Sequence, residues 1–461
     1  MEKYLDNKHH VHFIGIGGSG MYPLAQILHK KGYYITGSDN NETSTLDAIR
    51  KMGIKVYFGQ RAENIDGADL IVHTAAIMED NPELIAARES GVTTIERKYL
   101  LGEITSWFEN CIGVCGTHGK TTATSMLTHI FLGDNSDISA FIGGKLKAIS
   151  GSAKLGTNNT MVCEACEFSN TFLEMQCSSA VVLNIDADHL NFFKTMDNLK
   201  AAFTKFCDKA SDLIVYNGDD KNTIEAVSKT ISTARKITFG FDKSNDFYAE
   251  DIKKLSDFKT SFVLKSKTGI SEELVICVPG KHNVLNAVAV SAIALSQKNP
   301  VKIEGLKKGL YEFKGTARRF ELLDEINSIT VADDYAHHPT EIEATLKTAK
   351  NMSFNRVWAV HQPFTYSRTA TLIDDFAKVL SIADKVVLTE IMGSREKNTY
   401  NIYSKDLAEK IDGCTWFSTF DQVAEYVAEN AMPNDLIITL GCGDVYKVAI
   451  KIIELLKKSK S

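Results

Sequence analysis

At 461 residues, with 44% hydrophobic and 24% charged side chains, the chain is too long for one ordinary core and has the composition of a soluble globular protein of two or three domains. A net charge of −6 argues against a nucleic-acid partner, and no apolar run reaches the length of a membrane span. The opening MEKYLDNKHH has no apolar core of a secretion signal, and the nine cysteines, an odd number lying mostly in apolar runs, read as reduced core residues. A cytoplasmic protein without membrane insertion is expected.

The first expected strand, residues 12–16, runs into GIGGSG and a helix over 22–31. Gly15, Gly17 and Gly20 satisfy GxGxxG around Gly18 and Ser19, and Asp39 follows the second strand, 34–38, where a dinucleotide-binding fold places its ribose carboxylate. Taken alone this spacing points to NAD, but the same turn holds any diphosphate, including that of a UDP-sugar. A helix from Ser44 and strands at 55–58 and 69–73 follow, and HTAAI brings His73 and Thr74 to a strand end where they either face a ligand crevice or, for His73, serve as a satisfied loop histidine.

Near residue 110 the βα pattern restarts with CIGVCGTHGKTT. Residues 111–115 read as a buried strand, Gly116, Thr117, His118 and Gly119 as a tight loop, and Lys120, Thr121 and Thr122 as the first turn of a helix ending near 132. Unpaired N–H groups, the helix dipole and the glycines make a phosphate cradle there. Lys120 is placed for β/γ-phosphates and Thr121 for Mg²⁺, although the usual GxxxxGK[ST] pattern asks for glycine at Val114, so the loop is a shorter variant. The Gly/Ser/Lys-rich stretch 143–159 reads as a loop lying over a substrate. Strand 161–164 ends in CEACEFSN, which places Glu164 for Mg²⁺ and Glu167 either behind it or in solvent. Cys163 and Cys166 form one CxxC, a weak zinc or redox signal for which plain packing is the main alternative. Strand 180–185 ends in DADHL, bringing Asp188 and His189 to the same edge, where the histidine is either a metal or phosphate contact or a structural residue.

Further strands are expected at 213–216, 236–240 and 274–278, before a helix opened by PGKHNVLNA. Asn283 and Asn286 there offer amides to a planar base, with helix capping the alternative for Asn283. GTARRF closes the segment with Arg318 and Arg319, suited to phosphate. The last segment opens with strand 329–332 and DDYAHHP, then repeats strands at 357–361, 385–390 and 436–440 with helices from about Thr340, Thr369, Ser404 and Asp444, which implies another parallel sheet. The expected fold is α/β in three domains: a Rossmann-like domain over 1–110, a P-loop-type ATPase domain over 111–320 and a Rossmann-like domain over 321–461.

Taken together, GIGGSGM, HTAAI, GTHGKTT, EACE, DADH, HNVLN, GTARRF, DDYAHHP and QPFTYSRT resemble the Mur ligase family over essentially the whole chain. GTHGKTT with DDYAHHP in one chain is the specific pair. The resemblance implies an ATP-dependent ligase and points to its alanine-adding branch: ATP phosphorylates the lactyl carboxylate of UDP-N-acetylmuramate, and the amine of L-alanine attacks the acyl phosphate. It implies Lys120 on the β/γ-phosphates, Thr121 and Glu164 on one Mg²⁺ and His189 on a second, with these as the catalytic set. Asn283 and Asn286 match adenine positions, and Arg319 and Asp334 match further ATP contacts. The glycine turn, Asp39, His73 and Thr74 match the UDP-sugar site, and Tyr335, His337 and Arg368 the amino-acid site. The implied assembly is a monomer or homodimer.

The chain departs from relatives at Cys166, where some carry aspartate, and at Phe364, where many carry histidine. Phe203 falls where later-acting relatives have a carbamylated lysine, which favours the alanine branch. The rivals are a recycling ligase that attaches a ready-made tripeptide to the same UDP-sugar, an NAD oxidoreductase resting on GxGxxG alone, and a nucleotide-sugar binding protein without turnover.

Overall fold

The computed structural model describes residues 3–74, 77–394 and 396–458; the Ala75 and Ala76 of HTAAI lie outside them. Phe13 and Ile14 are fully buried, and the chain leaves the sheet at Gly15 with φ 81°, a conformation open to glycine and strained for any other residue. The first strand is therefore His10–Ile14, shifted toward the N-terminus from the expected 12–16. It sits in the middle of a five-stranded parallel sheet ordered Lys55–Phe58, Tyr34–Asp39, His10–Ile14, Leu70–His73 and Thr93–Glu96. The chain builds outward from His10–Ile14 first on one side and then on the other, which opens a ligand crevice at the carboxyl ends of His10–Ile14 and Leu70–His73.

A second sheet has ten strands, ordered Ser271–Ile276, Lys259–Ser266, Phe247–Ser256, Arg235–Gly240, Leu213–Asn217, Ser179–Val182, Asn110–Cys115, Thr160–Glu164, Ser139–Leu146 and Gly151–Lys154. Asn110–Cys115 is flanked by parallel partners, with Val114 opposite Glu164 and Cys115 opposite Val182, so three strand ends emerge side by side. The stretch expected as a loop over 143–159 is instead largely an antiparallel hairpin, Ser139–Leu146 with Gly151–Lys154. Its apolar residues Phe141, Ile142, Leu146 and Ala153 are buried, and Asp137 gathers Lys154 with the N–H and hydroxyl of Thr157 to hold the base of the hairpin.

The third sheet is ordered Glu321–Ile326, Ile329–Asp334, Asp435–Leu440, Arg356–His361, Lys385–Thr389 and Thr415–Phe417. It is parallel except for Glu321–Ile326, which forms an antiparallel edge hairpin with Ile329–Asp334 and corrects the all-parallel expectation. Alternating residues feed separate cores on its two faces: Val357 and Ala359 on one, Trp358 and Val360 on the other.

The chain divides into two compact units, Met1–Lys253 with Ser261–Ile276 and Val284–Phe313, and Lys254–Thr260 with Cys277–Asn283 and Lys314–Ser461. Within the first, one continuous apolar core joins both sheets, including Leu100, Leu101 and Ile104 of the helix Arg97–Thr105 and the aromatic group Phe172, Phe203 and Phe206. Phe203 is wholly buried, edge-on to Phe172 at 5.3 Å. Among the described residues no helix is long and apolar enough to cross a membrane.

Candidate active site

The strand Asn110–Cys115 delivers the chain into the loop at Gly116, φ 144°, and Gly119, φ 84°, before the helix Lys120–Gly133. A Cβ on Gly119 would fall 2.9 Å from Asn286 Oδ1, so a side chain there would displace the asparagine. The segment after Ser179–Val182 clamps this loop from the neighbouring strand. Asn184 accepts from the Thr117 N–H (3.0 Å) through its carbonyl and from the His118 N–H (2.8 Å) through Oδ1, and its amide donates to the His118 carbonyl (3.0 Å). Asp186 donates its N–H to Thr117 Oγ1 (2.9 Å), and its carboxylate lies 3.3 Å from His118 Nε2. These bonds hold the loop in shape.

Lys120 folds back into its own loop, donating to the carbonyls of Gly116 (2.6 Å) and Thr117 (3.0 Å) and pairing with Glu167 at 3.0 Å. The side chain of Glu167 is 1% exposed, which excludes its solvent reading. Burial alone would lower the Lys120 pKa, but Glu167, with smaller help from Cys166 and Glu164, outweighs it and holds the amine above its ordinary value. Thr121, in the same first turn, donates its hydroxyl to Glu164 Oε1 at 3.0 Å, while the Gly143 N–H of the hairpin donates to Glu164 Oε2 at 2.7 Å. Thr122 is half-buried in that turn. His189, with φ 54°, brings Nε2 to 3.6 Å from Asp188 and 4.0 Å from Glu167, against the ring of Phe168 at 4.9 Å.

These positions unite Lys120, Thr121, Glu164 and His189 at one sheet edge in the first unit. Cys163 and Cys166 are free, as are the other cysteines, and no cluster of three or more His, Cys, Asp or Glu fit to hold a metal occurs among the described residues. Burial, then Glu167, pushes the Cys166 thiol up to about 11, so it stays protonated at neutral pH. Asn286 is buried beside Gly119, whereas the Asn283 amide, in the second unit, donates to the Pro279 carbonyl at 2.6 Å and closes the turn ahead of its helix.

In the first sheet the glycine turn is tightly self-bonded. The Ser38 carbonyl accepts from both Gly15 (2.8 Å) and Ile16 (3.0 Å), Asp39 Oδ2 accepts from the Gly17 N–H (3.0 Å), and Gly18 donates to the Gly15 carbonyl (3.1 Å). Thr74 faces Gly15, His73 Nδ1 lies 3.1 Å from the Thr74 carbonyl, and Ser19 and Gly20 lead to the helix Tyr22–Lys30.

The second unit holds the remaining candidates. Asp334 is 7% exposed and accepts from the N–H groups of Phe320 (3.0 Å) and Ala336 (2.8 Å) and the Thr345 hydroxyl (3.2 Å). Burial pushes its carboxyl up to about 6 against the pull of Arg319. Arg319 lies over the Tyr335 ring at 4.9 Å, and burial raises that phenol to about 12. Its neighbour Arg318 is a structural brace, bonded to Asp333 (2.8 Å) and the Gly441 carbonyl (2.6 Å). His337 pairs with Glu341 at 3.2 Å and meets Phe364 edge-on at 6.4 Å, while Arg368 carries a buried Nη1 without a hydrogen-bond partner among the described residues. Sequence reasoning passed over Asn184 and Gly143, because their contacts are made by strand register and not by spacing along the chain.

Comparison with known proteins follows this architecture along the chain. The model described as Mur ligase family, catalytic domain matches residues 10–109, the Mur ligase middle domain residues 114–294, and the Mur ligase, glutamate ligase domain residues 318–443. A UDP-N-acetylmuramate--L-alanine ligase of Acetivibrio thermocellus is 44% identical, covering 95% of this chain and 94% of its own length. A protein of the same name from Agathobacter rectalis is 41% identical, covering 97% and 98%. Among solved structures, a UDP-N-acetylmuramate-alanine ligase of Thermotoga maritima superposes with TM-score 0.85 at 28% identity, covering 97% of this chain and 99% of that one. A murein peptide ligase from Psychrobacter arcticus shares the fold at TM-score 0.75 and 24% identity.

Proposed function

Because this chain belongs to the Mur ligase family, we propose that it uses ATP to join L-alanine to the lactyl carboxylate of UDP-N-acetylmuramate, the first amino-acid addition to a peptidoglycan precursor. The observation that carries this reading is the convergence of Lys120, Thr121, Glu164 and His189 around one preformed phosphate loop.

A carboxylate at neutral pH has no leaving group and repels an approaching γ-phosphate, so neutralising charge is the central task. The loop N–H groups and Lys120 receive the β/γ-phosphates, and the ammonium exchanges the carbonyls of Gly116 and Thr117 for phosphate oxygens while Glu167 keeps it charged. A lactyl carboxylate oxygen bonds to the γ-phosphorus as the bond to the ADP oxygen breaks. The amine nitrogen of L-alanine then attacks the acyl carbon, phosphate leaves with the acyl C–O electron pair, and the amine gives up a proton to yield the amide. Thr121 and Glu164, hard oxygen donors 3.0 Å apart, fit Mg²⁺, with His189 placed for a second ion; bound there, Mg²⁺ supplies countercharge to the phosphates. Asn286 and Asn283 serve adenine, Arg319 and Asp334 the rest of ATP, and Tyr335, His337 and Arg368 the amino acid, with Arg368 paired to its carboxylate. The turn Gly15, Gly17, Gly18, Ser19 and Gly20, with Asp39, His73 and Thr74, holds the UDP-sugar. Domain limits fall at residues 110 and 320, and the enzyme works in the cytoplasm as a monomer or homodimer.

The test is phosphate release with ATP, Mg²⁺ and UDP-N-acetylmuramate, comparing L-alanine, L-serine, glycine and the tripeptide L-Ala-γ-D-Glu-diaminopimelate. Release that depends on L-alanine is expected. Release with the tripeptide alone would transfer the protein to the recycling branch, and no release with any acceptor would leave only a binding protein.

A further inference from the structure

The two phosphate-type turns of the first unit differ in their supply of positive charge. The central loop carries its own cation, Lys120, whereas GIGGSGMY contains none. The first turn also uses up most of its donors internally: the N–H groups of Gly15, Ile16, Gly17, Gly18 and Met21 are all bonded within it or to Ser38 and Asp39. Among the described residues the N–H groups of Ser19 and Gly20 have no protein acceptor. The Asp39 carboxylate adds a negative charge at the same place, so a diphosphate settling here needs a cation from elsewhere.

Arg97 stands at that point. It opens the helix Arg97–Thr105 directly after the strand Thr93–Glu96, and a Cβ on Gly20 would fall 2.6 Å from its Nη1 and 3.1 Å from its Nε. The guanidinium therefore packs directly against the glycine, and a side chain there would push it aside. Arg97 is half-buried, yet among the described residues it has no ion-pair or hydrogen-bond partner. Its neighbour Glu96 pairs with Lys98 at 3.2 Å instead. A partly desolvated guanidinium without a carboxylate is unfavourable unless an anion completes it.

We propose that Arg97 is a substrate-binding residue whose guanidinium holds the diphosphate of the UDP-sugar against the N–H groups of Ser19 and Gly20. This rests on the ligase reading for the identity of the sugar nucleotide. It gives the first turn the cation its own sequence lacks, and it makes Gly20 a spacer for arginine as much as a turn residue.

The experiment compares wild type, Arg97→Gln, Arg97→Lys and the control Lys98→Gln by calorimetric titration with UDP, UDP-N-acetylmuramate and ATP, alongside steady-state kinetics. Arg97→Gln is expected to weaken UDP and UDP-N-acetylmuramate by the same factor, ~10- to 100-fold for a lost charge-assisted contact. The KM for the UDP-sugar rises while kcat and ATP affinity hold, Arg97→Lys recovers part of the loss, and Lys98→Gln matches wild type. Unchanged UDP affinity in Arg97→Gln overturns the proposal, as does loss confined to UDP-N-acetylmuramate, which assigns Arg97 to the lactyl carboxylate. A parallel loss of ATP binding overturns it too, because the effect is then structural. A wild type that binds UDP but releases no phosphate with any acceptor refutes the ligase reading alone, whereas one that binds no UDP refutes both.

Discussion

Replacing Lys120 by alanine separates the ion pair its ammonium makes with Glu167 from the phosphate contact proposed for it. The pair with Glu167 spans 3.0 Å between side chains that are 13% and 1% exposed, so truncating the lysine leaves a carboxylate buried without its countercharge. Breaking a buried pair from one side costs about 3 to 5 kcal/mol. At the lower figure, amides of the strand Asn110–Cys115 are expected to exchange with deuterium roughly 150-fold faster than in wild type. Turnover disappears as well, while UDP-sugar binding persists, since the two ligands use different sheets. The double variant Lys120→Ala/Glu167→Gln removes the stranded charge and should recover most of the protection without recovering any turnover. Because the folded pKa of Lys120 lies above its ordinary value, the pair's contribution is complete at neutral pH and fades only as pH rises through that higher value. Equal exchange in the single and double variants would refute the claim that Glu167 depends on Lys120.

Gly119→Ala forces a side chain into φ 84° and toward Asn286 Oδ1; about 1 to 2 kcal/mol of local strain and a raised KM for ATP are expected, with UDP affinity as the unmoved reference. Glu164→Gln keeps one acceptor oxygen for the Gly143 N–H, turns its amide toward the Thr121 hydroxyl and removes charge, so a Mg²⁺ titration of phosphate release should shift ~10-fold or more to higher concentration; an unshifted curve would remove Glu164 from the metal site. Asp334, raised to about 6 by burial, binds its proton more tightly folded than unfolded. Its contribution to stability is therefore present below about pH 4 and lost as pH rises through about 6, a change of about 3 kcal/mol. Unfolding midpoints measured from pH 4 to 7 should fall more steeply in wild type than in Asp334→Asn, and parallel curves would contradict this.

Much of the fold was legible because buried parallel strands announce themselves as short apolar runs ending in turn residues. The runs at Cys111, Met161, Ile329 and Val357 all lie in strands. What composition hid were strands whose burial comes from neighbours. GGKLKAISGSAK looks like a loop, yet Leu146 and Ala153 are buried and Gly143 in that hairpin holds Glu164. Thr93–Glu96 and Glu321–Ile326 are edge strands with polar faces, which carry no clear period. At the site, Lys120 and Thr121 were readable from local spacing alone. Glu167 was not settled, because adjacent charged residues in EACEFSN give no sign of which one turns inward. Arg97 was invisible for a stronger reason: its approach to Gly20 is created by folding, across a span of sequence that no local pattern covers.

The glycine turn shows why a fingerprint narrows chemistry without choosing a ligand. GxGxxG and the carboxylate after the next strand follow from the geometry of a tight turn on a parallel sheet, and both are present. In this chain Asp39 Oδ2 accepts from the Gly17 N–H and Oδ1 from the Asn41 N–H at 3.1 Å, so the carboxylate helps close the turn whichever nucleotide sits beside it. The spacing that argues for NAD is thereby accounted for by the turn's own hydrogen bonds. What distinguishes the ligand is the unbalanced charge left at the surface of the turn, a half-buried guanidinium and two N–H groups without protein partners. On the reading proposed above, that combination takes a diphosphate, while Lys120 and Glu164 serve the ATP that phosphorylates the lactyl carboxylate.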